Sequence, residues 1–170
     1  MKVHMYDVEK EKFTLSIHVR WIKLLAKFSK QFKWCHQQLA FGHEDVPRGI
    51  CFRSGGKYYI MVNDVGKVND YVMKHELAHI QLGHVGNPEK ADVHTIRQQD
   101  LDADKYALEV LKCDPVLMWK TLCVLCDELD ELYFLTGYKD DNYQALYYIM
   151  LNRLNQAEKL IKKDETVAEV

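Results

Sequence analysis

His75-Glu76-Leu77-Ala78-His79 is the stretch that decides how this chain folds. Residues four apart on a helix lie one turn apart on the same face. Two imidazoles so placed can both bring Nε2 to one zinc ion at about 2.0–2.1 Å. Glu76, beside the first histidine, can reach the open side of such a metal and take the proton of a bound water. Ligands and a general base thus come from one helical turn.

The flanks agree with a helix. Asn69 suits the N-cap and Asp70 the first turn. Met73, Leu77 and Ile80 recur at spacings of four and three, opposite the two histidines. Leu82-Gly83 offers a stop. The pattern predicts a helix of about 14 residues. One side packs into a core, and the other presents the motif to a cleft.

Upstream, Pro47 and Gly49 break the pattern. Ile50–Arg53 and Lys57–Asn63 then read as two strands joined by Ser54-Gly55-Gly56. Tyr59, Ile60, Met61 and Val62 lie on the strand nearest the motif. An exposed edge there would accept an extended peptide by β-addition, which makes these four the candidate substrate-binding residues. Residues 1–14 read as an extended lead-in. From Ser16 to about Gln37 the pattern is helical, with an apolar stripe of Ile17, Trp21, Leu24, Leu25, Phe28 and Phe32. Arg20, Lys23, Lys27, Lys30 and Lys33 line another face of it. That basic stripe reads as a solvated surface in preference to a phosphate-binding one.

Downstream, residues 84–94 form a polar loop around Gly86-Asn87-Pro88. A second helix is expected from about Thr95 to Lys112. The third starts at Asp114-Pro115, reaches about Leu135 and stops at Gly137. The last runs from Asp141 to about Lys163, with a disordered tail at 164–170. The expected fold is α+β and mostly helical, with a small β-hairpin or sheet before the motif helix and helices after it. It forms one domain over residues 1–170, with a core at about 16–112 and a helical part at about 114–163.

A catalytic zinc takes three protein ligands and keeps one position for water. His84, His94, Asp100 and Asp104 are the candidates for the third place. On ideal geometry His84 points away from the histidine pair, unless Gly83 unwinds the chain there. His94 sits in the polar loop. Asp100 and Asp104 are four apart on one helix face, with Ala103 and Ala107 nearby to permit close approach. The natural division gives Asp100 to the metal. Asp104 then takes an outer hydrogen bond to a ligand histidine, a partner such histidines usually have. His84 and His94 stay open as alternatives.

Three segments together, Tyr59–Asn63, His75–His84 and Asp100–Ala107, resemble the gluzincin-like metallopeptidases. The nearest likeness is to the small ImmA/IrrE-type proteases, and then to the soluble core of HtpX-type peptidases. The resemblance covers about residues 57–110. It implies a zincin-like fold, an edge strand before the motif helix, and zinc-dependent cleavage of peptide bonds. It also implies a zinc-binding acid and a supporting Asp/Asn on the second helix. Asp100 stands where those families carry Glu, so that helix must approach closer by roughly one carbon–carbon bond.

Composition narrows the rest. With 170 residues, 48% hydrophobic and 28% charged, the chain can bury a core without disulfides. A net charge of −2 exerts no general pull on nucleic acid or an anionic membrane. No apolar run approaches the roughly 18 residues of a membrane span. Met1–Asp7 lacks the apolar core of a signal peptide, so cytoplasmic residence is expected. Cys123 and Cys126 form a C-x-x-C pair inside an apolar helical stretch and read as small hydrophobes.

The sequence therefore predicts a zinc-dependent endopeptidase with one Zn2+ ion, acting on a protein or peptide substrate. Two other classes are weighed. A non-catalytic regulator would keep the scaffold to bind a partner protein, with the C-terminal helices as its surface. A metal-dependent nuclease with clustered histidines would need a third histidine six residues after His79, where this chain has Val85.

Overall fold

Gly55 and Gly56 close a tight hairpin. Both have positive φ (55° and 75°), a backbone open to glycine at little cost. They join β3 (Gly49–Ser54) to β4 (Lys57–Val62) in an antiparallel pair. This computed structural model describes residues 3–7, 12–13, 48–63, 68–85, 92–136 and 141–168. The predicted helix at 16–37, with its basic stripe, lies outside the described residues. By internal contacts the chain divides into two units, residues 1–91 and 92–170.

In the first unit β1 (Val3–Asp7) and β2 (Lys12–Phe13) add to the hairpin. The four strands lie in the order β2-β1-β4-β3, with β1 parallel to β4. The lead-in is thus part of the sheet. This corrects the expectation of a free edge at Tyr59, Ile60, Met61 and Val62. β4 is hydrogen-bonded on both sides, and those four residues are 4%, 2%, 0% and 0% exposed. They are core, and a substrate has neither an edge nor a side chain to meet there. Among the described residues the outer strand on that side is β3.

A strand buried on both faces reads as a continuous apolar run, as β4 does. Ile60 and Val62 pack with Ile80 of helix α1 (Asp70–Leu82), joined by Met73 and Leu77 as their spacing predicts. Burying each such side chain stabilises by about 1.5–3 kcal/mol. On the alternate side, Tyr59 stacks on Phe52 at 5.1 Å and tilts against His4 at 5.4 Å. Burial pushes the Tyr59 phenol above its usual pKa.

The second unit holds α2 (Val93–Glu109), α3 (Pro115–Thr136) and α4 (Asp141–Ala168). Asp92 caps α2 by accepting from the Thr95 amide at 2.9 Å and its hydroxyl at 2.7 Å, so the helix starts earlier than its apolar pattern suggests. Asp114 and Pro115 open α3 as predicted, the Asp114 carboxylate accepting from Val116 N at 2.9 Å. α4 packs on α3 and α2. It continues to Ala168, past the end expected near Lys163. No glycine or proline interrupts residues 141–168, and the Lys, Glu and Ala there favour helix.

Candidate metal centre

Helix α1 carries the motif and is fixed at both ends by its own sequence. The Asn69 carboxamide accepts from Val72 N at 3.0 Å, a cap worth about 1 kcal/mol. At the other end Gly83 takes φ 77°, a left-handed cap. The Gly83 amide then bonds Ile80 O at 3.3 Å, and the His84 amide bonds His79 O at 2.9 Å. That pair of bonds is a Schellman motif.

Between these caps, His75 and His79 bring their Nε2 atoms to 3.0 Å of each other. Two ligands at about 2.05 Å from one tetrahedral zinc would stand about 3.3 Å apart, so small ring rotations admit the ion. The same separation also suits a direct N–H···N hydrogen bond. Imidazole nitrogens are donors of the kind that zinc takes. His75 is 8% exposed and Glu76 7%, so the motif is more enclosed than the open cleft face the helix pattern suggests.

Glu76 also has an unforeseen neighbour. A Cβ on Gly49, at the start of β3, would fall 2.7 Å from Glu76 Cγ and 3.1 Å from Val72 Cγ1. The sequence marks Gly49 only as a break between elements. Its structural role is to let the β3 backbone lie flat against the carboxylate arm.

The unwinding at Gly83 that would bring His84 back does occur. His84 is half-buried, and its Nδ1 lies 3.2 Å from Nδ1 of His79, the ring nitrogen not shared with His75. His84 is thus placed as a support for His79. His94 is exposed on α2.

In the second unit, Asp100 and Asp104 share one face of α2 and one partner. Arg153 of α4 grips both Asp104 oxygens, Nε to Oδ2 at 2.7 Å and Nη2 to Oδ1 at 3.1 Å. Its Nη1 lies 3.7 Å from Asp100 Oδ2. Asp104 is fully buried and Arg153 nearly so. Removing one side of such a pair costs about 3–5 kcal/mol, because a charge is left buried alone. Asp104, read from sequence as a histidine support, therefore has both oxygens engaged by an arginine the sequence reading did not name. A signal was present. Ile149, Met150 and Ala157 mark the buried stripe of α4, and Arg153 stands in that stripe at helical spacing.

Cys123 and Cys126 are half-buried on α3. Desolvation first, then Asp127 at Cys123 and Cys123 with Asp130 at Cys126, push the two thiols up in pKa, which disfavours the thiolate a metal needs. Tyr147 is half-buried and Tyr148 exposed on α4. Among the described residues no helix is long and apolar enough to cross a membrane.

No curated protein and no solved structure matches the chain significantly. A family model described as Peptidase U49 matches residues 7–116, a span that includes the motif helix and the acids of α2, and the chain belongs to the Peptidase U49 family.

Proposed function

We propose that the protein is a zinc-dependent endopeptidase of gluzincin-like type, resembling the ImmA/IrrE-type proteases in its motifs, and that it cleaves a protein substrate in the cytoplasm. One observation carries this reading: the convergence of the His75 and His79 Nε2 atoms at 3.0 Å on the helix that holds Glu76, in a chain of a peptidase family.

Asp100 is the third ligand in this reading. Carboxylate oxygen binds zinc at about 2.0–2.2 Å as readily from Asp as from Glu. The rival candidates are less suited: His84 meets the other nitrogen of His79, and His94 is exposed. A bound zinc supplies electrophilic polarisation of the scissile carbonyl and acidifies a water toward neutrality. Glu76 takes the proton of the attacking water and returns it to the leaving amine. His84 holds the orientation of His79. The substrate backbone adds to β3, the outer strand among the described residues, beside Gly49 and Glu76.

The test is cleavage of proteins in a cell lysate, read as new protein N-termini, with wild type and Glu76→Gln compared. The expected result is cleavage by wild type that falls by about 10²–10⁴-fold in the variant. Cleavage undiminished in Glu76→Gln would sink the mechanism. A stable copurifying protein with no cleavage would favour the regulatory role instead.

A further inference from the structure

A guanidinium is costly to bury unless its donors are used, and Arg153 is 7% exposed. Its Nε and Nη2 take the two oxygens of Asp104, leaving Nη1 with Met150 Sδ at 3.7 Å and Asp100 Oδ2 at 3.7 Å. One planar fork thus spans two acids a single turn apart on α2. A pair built only to neutralise Asp104 would have no need to face Asp100 as well. Lysine, a single point charge, could not grip both oxygens of Asp104 and face Asp100 in a fixed plane. Arg153 also lies beyond residue 116, where the family match ends.

We propose that Arg153 is a positioning residue for the metal site: clamped on Asp104, it sets the place and orientation of the Asp100 carboxylate. The last helix is then part of the metal-binding apparatus. This rests on the reading of Asp100 as a zinc ligand. Loss of an outer partner of a metal ligand typically weakens metal binding by about 10–100-fold.

The experiment is a double-mutant cycle on zinc affinity, measured by chelator competition on the full-length chain. It compares wild type, Arg153→Met, Asp100→Ala and the two combined. If Arg153 acts through Asp100, Arg153→Met weakens zinc binding by about 10–100-fold in wild type and adds no further loss in the Asp100→Ala background. A folded Arg153→Met protein with wild-type affinity overturns the proposal. So does an equal loss in both backgrounds, the mark of a merely structural role. Should Arg153→Met fail to fold, Asp104→Leu/Arg153→Met replaces it, since exchanging a buried ion pair for hydrocarbon is often neutral. The same loss is expected there, and wild-type affinity overturns the proposal. Zinc affinity unchanged by Asp100→Ala overturns the ligand reading itself, and this inference with it.

Discussion

Gly49 and Glu76 are packed so closely that a Cβ on the glycine would stand 2.7 Å from Glu76 Cγ. Gly49 is not among the positive-φ glycines, so an alanine there would be opposed by crowding alone. Gly49→Ala should lower stability by about 1–3 kcal/mol, the usual cost of overpacking. The carboxylate is the movable neighbour, so peptide cleavage should fall at least about tenfold while zinc content holds. Melting, metal analysis and cleavage on one preparation check this; full activity in Gly49→Ala would contradict it.

The His79–His84 contact, 3.2 Å between Nδ1 atoms, makes a second prediction. With Nε2 of His79 turned to a metal, its Nδ1–H donates to Nδ1 of His84, whose own proton then sits on Nε2. His84→Ala removes that acceptor and should weaken zinc binding by about 10–100-fold. His84→Gln, whose carbonyl can accept, should recover part of the loss. Equal affinity in wild type and His84→Ala would remove His84 from the site.

Lys112 has φ 54°, and the turn it makes lets the Cys113 amide bond Ala107 O at 2.9 Å. A side chain in that left-handed region costs roughly 1–2 kcal/mol. Glycine escapes the cost but gains freedom when unfolded. Lys112→Gly should therefore raise stability by about 0.5–1 kcal/mol, with no change in zinc affinity. A urea melt that shows destabilisation would mean the Lys112 side chain contributes more than its backbone costs.

Asp92 links the start of α2 to pH. Its side-chain hydrogen bond with Thr95, and then the Thr95 amide, hold its carboxyl below the ordinary value of 3.8. The folded state thus prefers the ionised cap. Its contribution is complete above the unfolded pKa and is lost as pH falls through the lower folded value. Asp92→Asn retains a cap without this dependence. Urea midpoints from pH 6 down to pH 3 should fall more steeply for wild type than for the variant. Parallel curves would show that the cap does not titrate as described.

Much of the secondary structure was legible because its signals are local. Asn69, Asp70 and Gly83 mark the ends of α1 within a residue, and Met73, Leu77 and Ile80 mark its packed side. Gly55-Gly56 marks the hairpin, and Asp114-Pro115 the start of α3. The reading of Tyr59–Val62 as a free edge went wrong for the opposite reason. Their burial depends on β1, whose residues pair with positions more than fifty away in the chain. No local pattern announces such a partner.

The sequence alone determined the helix, its caps and the pairing of two imidazoles with a carboxylate. Helix period and capping chemistry act over a few residues, and the motif lies within that range. Tertiary structure decided which distant residues meet: β4 enclosed in the sheet, Gly49 against Glu76 and, within the second unit, Arg153 on Asp104. Those contacts join residues 27 and 49 positions apart in the last two cases, and only the packing of separate elements brings such side chains together. His84 stands between the two. Its spacing pointed away from His79, and one left-handed glycine, supported by two backbone hydrogen bonds, turned it back.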